Sequence, residues 1–319
     1  MADAPSSPLA GSFRLFQVAG ISVYLHWSWL LVAAFEVQGR ANVYASPVWN
    51  VIEYLTLFAI VLLHEFGHAL ACRQVGGRAD QILLWPLGGI AFVSPPPRPG
   101  PWLWSIAAGP LVNVLLVPIT VGAFVVATTQ GWRDTYPDAH QYLWAVMFMN
   151  GFLLIFNMLP IYPLDGGQIV QALLWFMVGR SRSLLIVSVI GMVAVVGVVA
   201  LAVLLQDLWI GILAVFVAIR CWAGFQQARV LAQLEKLPRH ADAACPACAT
   251  HPYAANLWQC HQCGARFDIF AHRGVCPSCS ERFPQVPCPE CGRAFSMSEW
   301  FADRVGQSPT RDDDNFSGF

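Results

Sequence analysis

VIEYLTLFAIVLLHEFGHALAC, Val51 to Cys72, decides how the rest of this chain is read. It is apolar almost throughout and long enough to cross a bilayer, which takes roughly 20 residues of helix. Yet it holds His64, Glu65 and His68 within five consecutive positions, in the pattern H-E-x-x-H. Residues four apart share one helical face, so both imidazoles can reach one ion. Glu65 lies beside that face, where it can act on a bound water. Ionisable groups inside an apolar helix are expensive, roughly 2.5–3.5 kcal/mol for a central Asp, Lys or Arg. A directly bonded cation offsets that cost. Polar residues that merely tie helices together do not need this spacing.

Around this segment the 319 residues divide in two. The chain is 56% hydrophobic and 12% charged, whereas a soluble domain is about 25% charged. The deficit falls between about Ser22 and Cys221, and beyond Lys236 the sequence turns polar, Cys-rich and Pro-rich. Apolar runs predict six spans: Ile21–Val37, Asn50–Cys72, Trp102–Thr128, His140–Leu159, Ser183–Leu205 and Leu208–Trp222, with a tight turn at Gln206-Asp207. Ile82–Val93 (ILLWPLGGIAFV) is too short to cross and is broken by Pro86 and Gly88-Gly89, so it predicts either a core strand pair or a re-entrant hairpin, and the membrane context favours the second. The expected fold is an all-α polytopic membrane protein of six transmembrane helices with that hairpin, plus a small cytosolic zinc-ribbon domain. The expected boundaries are a disordered leader over 1–12, a membrane-embedded domain over 13–236, a zinc-ribbon-like domain with two four-cysteine sites over 241–300 and a disordered acidic tail over 306–319. Met1–Ala10 lacks a basic stretch, so no cleavable signal peptide is expected. Arg14, Arg73, Arg78, Arg98, Arg180, Arg182, Arg229, Lys236 and Arg239 fall on one side of the six-span arrangement, and only Arg40 and Arg133 on the other. The richer side is the cytosolic one, which puts both termini in the cytosol.

H-E-x-x-H supplies two ligands, and a catalytic zinc takes three from protein plus water. Asp165 is the strong candidate for the third. It follows the fourth apolar run in NMLPIYPLDGG, Asn157 to Gly167, where Pro160 and Pro163 unwind the helix and Gly166-Gly167 free the backbone to aim a carboxylate inward. Glu53 lies about 16 Å along the helix from His64 and cannot share the ion. Its better reading is an interfacial residue. Asn157 and Asn113 are intramembrane amides, each able to donate to an oxyanion or to bond a neighbouring helix. Asn157 is the one assigned to catalysis, from its place beside Asp165. His26 reads as an interfacial residue beside Trp27 and Trp29.

These motifs together, His64–His68 and Asn157-x-x-Pro160-x-x-Pro163-Leu164-Asp165-Gly166-Gly167, resemble the paired motifs of the site-2 protease family of intramembrane metalloproteases. Gly20-Ile21 through His26-Trp27, Pro86-Leu87-Gly88-Gly89 and Ala108-Gly109-Pro110-x-x-Asn113 are similar to its prokaryotic branch. The resemblance covers roughly residues 12 to 225. It implies a catalytic zinc on His64, His68 and Asp165, Glu65 as general base, six spans, an active site nearer the cytosolic face, and a place in a prokaryotic cell membrane. The implied substrates are membrane-tethered transmembrane proteins, cut within or near their spans. The branch often ends in a paired nucleotide-binding domain, and here cysteine pairs stand in its place.

Ten cysteines are present. Cys72 and Cys221 sit alone at the ends of apolar runs. The other eight form Cys245/Cys248, Cys260/Cys263, Cys276/Cys279 and Cys288/Cys291, separated by gaps of 11, 12 and 8 residues. Four such pairs suit two structural zinc sites of four cysteines each, paired sequentially or cross-braced. Reduced thiols fit a cytosolic tail. From Ala241 to Phe319 there are six Arg, no Lys and nine Asp or Glu, a balance of −3. Nucleic acid is therefore not an expected partner, and protein docking through the zinc tail is. The alternative to the enzyme is a proteolytically inactive scaffold with a structural metal site and a partner-recruiting tail. A zinc transporter would need ligands along a path through the membrane, and the sequence offers one cluster.

Overall fold

The computed structural model describes residues 11–39, 42–85 and 88–302, apart from the side chains of 35–38 and 209. The chain separates into two compact units, Met1–Ala232 and Gln233–Phe319.

The first unit opens on β1 (Ser12–Val18) and β2 (Ile21–His26), followed by α1 (Ser28–Gly39) and α2 (Pro47–Gln74). Then come β3 (Arg78–Trp85), β4 (Gly88–Ser94), α3 (Pro99–Thr129), the single turn α4 (Trp132–Thr135), α5 (Pro137–Asn157), α6 (Asp165–Val178), α7 (Arg180–Leu205) and α8 (Leu208–Leu234). Five helices are long and apolar enough to cross a membrane: Pro47–Gln74, Pro99–Thr129, Pro137–Asn157, Arg180–Leu205 and Ile210–Leu234. The unit is that of a multi-pass integral membrane protein.

Two expectations are corrected. Ile21–Val37 is not one helix. Its first third is β2, and the 12-residue α1 that follows rises only about 18 Å. The unit is also not all-α. β1 to β4 form one sheet in the order β1-β2-β3-β4, with β2 and β3 parallel and the outer pairs antiparallel. The apolar stretch around Gly88-Gly89 is half of this sheet. Ile21, Val23, Ile82 and Leu84 pack on Val61, Ala69 and Cys72 of α2, giving the sheet a buried face on the helix that bears the histidines. Most of the expected leader and the whole expected acidic tail lie outside the described residues.

Helix ends follow local chemistry. Ser46 accepts from the Val48 N–H, with Pro47 in the first turn of α2. Pro99 and Pro137 open α3 and α5 in the same way. The expected turn at Gln206-Asp207 is present. Gln206 is left-handed, and the Asp207 carboxylate accepts from the Ile210 N–H at 3.1 Å. α3, α5 and α7 leave large apolar side chains uncovered, among them Ile119, Ile155 and Val196. α2 differs, because 44% of its most apolar window is buried against 11% for α3, and this marks it as the central helix.

The second unit holds β5 (Trp258–Gln259), β6 (Arg266–Phe267), β7 (Val286–Pro287), β8 (Ala294–Phe295) and the turn α9 (Met297–Trp300). Its two hairpins share a single small core of Phe267, Phe270, Phe283, Val286 and Trp300, packed among the cysteines.

Candidate metal centre

His64 and His68 stand one turn apart on α2, and Asp165 is the first residue of α6. All three are buried. His64 Nε2 lies 3.0 Å from Asp165 Oδ2, His68 Nε2 lies 3.5 Å from it, and the two Nε2 atoms are 3.1 Å apart. Tetrahedral zinc with bonds of about 2.05 Å spaces its ligands about 3.3 Å apart. The triangle fits that ion.

The other ring nitrogens say what this triangle contains. His68 Nδ1 faces the Ser105 carbonyl at 2.9 Å, which can only accept. His64 Nδ1 faces Asn113 Oδ1 at 2.6 Å. Asn113 Nδ2 donates to Asn150 Oδ1 at 2.9 Å, and Asn150 Nδ2 donates to the Asn113 carbonyl at 3.1 Å. Each imidazole thus carries its proton on Nδ1 and turns a lone pair on Nε2 toward the other and toward the carboxylate. Acceptors this close repel one another unless a cation lies among them, and the donor set of two imidazoles and one carboxylate is the one zinc takes in hydrolytic sites.

Small residues bring these partners together. A Cβ on Gly67 would lie 2.6 Å from the Ala108 carbonyl oxygen, and one on Gly109 would collide with the His68 ring. These glycines let α2 and α3 approach until Ser105 and Asn113 reach the histidines. Gly166 and Gly167 do the same for the Asp165 loop, whose Leu159 oxygen and Tyr162 nitrogen would lie 2.6 and 2.5 Å from their added Cβ atoms. Glu65 is buried beside the triangle. Its Oε2 accepts from the Ala91 N–H of β4 at 2.8 Å, and Gly89 of the same strand lies against its side chain.

The remaining sequence candidates are placed as follows. Asn157 ends α5, half-buried, with no hydrogen-bond partner for its amide among the described residues. Glu53 is buried away from the triangle and accepts from the Tyr44 hydroxyl. His26 bonds Ser28. Asn150 was missed by sequence reading and Asn113 left undecided, although an amide in the middle of each of two apolar runs was the available signal.

The eight tail cysteines form two sets, Cys245/Cys248/Cys288/Cys291 and Cys260/Cys263/Cys276/Cys279. The pairing is neither sequential nor cross-braced. It is nested, with the inner set enclosed by the outer one. Across each set the Sγ atoms are 3.6 Å apart, near the roughly 3.8 Å that tetrahedral zinc with bonds of about 2.3 Å requires. Each pair repeats one loop. The first Cys N–H bonds the carbonyl five residues on, at 2.8–2.9 Å, and the N–H four residues on returns to the first Cys carbonyl at 2.9 Å. That fourth residue is left-handed each time: Ala249, Gly264, Ser280 and Gly292, with φ of 58°, 75°, 63° and 71°. Crowded thiols ionise unequally. Burial resists ionisation of Cys276, but the Ser278 and Cys279 N–H groups hold it at about 7. The Glu281 N–H lowers Cys279, yet loss of water and its thiol neighbours push it up to about 12. Four thiolates together need a cation.

Residues 52–204 match the family model of peptidase family M50. The zinc metalloprotease MJ0392 of Methanocaldococcus jannaschii is 32% identical over 180 residues, 56% of this chain and 50% of that relative. Stage IV sporulation protein FB of Bacillus subtilis is 34% identical over 119 residues, 36% of this chain and 38% of its own length. The solved site-2 protease from Methanocaldococcus jannaschii superposes with a TM-score of 0.48 at 27% identity, covering 67% of this chain and 95% of that one. The chain spans about half the length of the curated relatives it matches first.

Proposed function

We propose, from the premise that residues 52–204 are a peptidase family M50 domain, that this metalloprotease cuts peptide bonds within or near the spans of transmembrane protein substrates. The observation that carries this reading is the pairing of an incomplete metal shell with a buried carboxylate. Three protein donors would leave a tetrahedral ion one position for water, and Glu65 is the buried neighbour of His64 on the same helix. A purely structural His–His–Asp site has no use for that glutamate, which argues against an inactive scaffold.

Zinc, when bound, supplies a polarised carbonyl and a water of lowered pKa. His64, His68 and Asp165 would hold it. Glu65 takes a proton from the attacking water and passes it to the leaving amine. The Ala91 N–H on Oε2 fixes that carboxylate and leaves Oε1 to carry the proton. The unengaged amide of Asn157 is kept as a donor for the developing oxyanion. A transmembrane helix must unwind before attack, and β4, an edge strand whose Ala91 N–H already turns toward the site, offers main-chain pairing to the unwound segment.

The first crossing would be made by α1, about 18 Å of helix, with β2 of the sheet leading the chain into it. Together with the five long helices this would make six crossings, and the Arg distribution then supports a cytosolic position for both termini, where thiols stay reduced. The two cysteine sets each hold a structural zinc, because four protein thiolates leave no open position, and the second unit serves protein docking.

Glu65→Gln tests the assignment on a model transmembrane substrate in detergent. Cleavage is expected to fall by about 100-fold or more with zinc content unchanged. Equal cleavage by both forms removes Glu65 from the chemistry, and no cleavage by either restores the scaffold.

A further inference from the structure

α7 and α8 supply none of the three metal-site residues, yet they hold the loop that aims one of them. Tyr162, three residues before Asp165, is inserted between these two helices. A Cβ on Gly224 of α8 would lie 2.9 Å from Tyr162 Cε1 and 2.7 Å from Ser188 Oγ of α7. A Cβ on Gly191 of α7 would lie 3.2 Å from the Tyr162 carbonyl oxygen and 2.5 Å from Cys221 Sγ of α8. The fully buried Cys221 thiol donates to that same carbonyl at 2.9 Å. On its other side the Tyr162 backbone lies against Gly167, in the first turn of α6 that begins with Asp165.

We infer that Tyr162 is a wedge through which α8 sets the position of Asp165, and that Gly191, Cys221 and Gly224 are positioning residues of the metal centre. The inference rests on reading His64, His68 and Asp165 as a zinc site. Its physical basis is the absence of slack. The loop from Met158 to Leu164 is irregular and would otherwise be free to swing. It is pressed between glycines below and glycines above, where a carbon added at any of Gly166, Gly167, Gly191 or Gly224 would come within 3.0 Å of a neighbouring atom. A shift of α8 by the size of a methyl group therefore moves the Tyr162 backbone, and Asp165 moves with it. The imidazoles do not follow, because Ser105 and Asn113 hold them from α3.

The test uses the full chain in detergent, with Gly224→Val as the probe and Gly197→Val as the control, since nothing lies within 4 Å of a Cβ at Gly197 on α7. Two quantities are read. One is the affinity of the triad for zinc, by competition with chelators of graded strength. The other is the rate at which a membrane-permeant maleimide alkylates Cys221, mapped by peptide mass, which reports whether the α7–α8 seam has opened. Gly224→Val is expected to speed Cys221 alkylation and weaken zinc binding at the triad, each by about tenfold or more, with Gly197→Val matching wild type. Tyr162→Ala removes the ring that passes the shift on and is expected to weaken zinc binding at the triad by itself, with Gly224→Val adding little further loss in that background, a non-additivity that general misfolding would not give. If Cys221 becomes reactive while zinc affinity is unchanged, α8 does not position Asp165. If neither changes, the seam is not tight and the wedge is wrong. A wild-type chain that binds no zinc at the triad overturns the metalloprotease reading instead, and the rate of Cys221 alkylation alone then decides whether the wedge exists.

Discussion

On the proposed reading, the two units of this chain prepare for the same metal in opposite ways. In the membrane unit the ligands come from α2 and α6, far apart in the sequence, and their geometry is imposed by neighbours: Ser105, Asn113, Asn150 and a row of glycines. In the second unit each ligand pair carries its own geometry in a six-residue loop used four times, and the surrounding core is small. A site that must keep one coordination position open cannot let the ion organise it, because the ion would recruit a fourth ligand. A site with no open position can be organised by the ion itself. The proposed roles fit that contrast: geometry is imposed by many neighbours where chemistry would be done, and in the second unit each ligand pair is set locally while joining the pairs is left to the metal.

Removing metal from the second unit should give the largest effect. Structural zinc contributes on the order of 10 kcal/mol or more, so stripping it should unfold residues beyond Gln233 and expose them to protease, while the helices of the first unit persist by circular dichroism. The nested pairing sharpens this. Replacing Cys245, Cys248, Cys288 and Cys291 together by Ser should leave one tail zinc, held by the inner set. Sequential or cross-braced pairing would halve both sites and leave none, and metal analysis separates these outcomes.

A smaller effect is expected from the neighbours of the triad. Asn113→Leu removes the acceptor that fixes the His64 ring and leaves Asn150 without its partner. Zinc affinity should fall about 10–100-fold, with the tail zincs retained. An unchanged affinity would mean that the histidines are held by α2 alone.

The smallest expected effect lies in the cysteine loops. Ala249 and Ser280 occupy the left-handed position that Gly264 and Gly292 fill in the sister loops. An L-residue there costs about 1–2 kcal/mol, partly offset by the greater freedom glycine has when unfolded. Ala249→Gly should therefore stabilise the second unit by an amount near or below about 1 kcal/mol, read as a raised unfolding midpoint, and a clear loss of stability would show that the side chain is packed.

How much of this could be read in the sequence depended on whether the signal was local. His64, Glu65 and His68 are a helical spacing, and Asp165 carries its own prolines and glycines, so the four that form the candidate centre were legible. So was the turn at Gln206-Asp207. Ile21–Val37 was not, because an apolar run of that length does not say where strand gives way to helix, and β2 becomes a strand only because β3 lies beside it. The same non-local pairing turned Ile82–Val93 into half of a sheet. Asn150 looked like any amide in a span until Asn113 was set opposite it. Gaps of 11, 12 and 8 residues permit any pairing of the cysteines, and the nested one follows from a shared core that no spacing reveals.

One hydrogen bond in the second unit has a consequence beyond stability. The Ala244 N–H donates to the Trp300 carbonyl at 2.9 Å, while the Trp300 ring is buried and its Nε1 donates to the Val286 carbonyl. The residues that flank the four cysteine loops, Ala244 before the first and Trp300 after the last, are therefore side by side. A segment closed on itself in this way behaves as a cassette. It can be lifted out, re-spliced between other sequences, or rejoined with new termini cut in one of its exposed loops, without asking its host to span a gap.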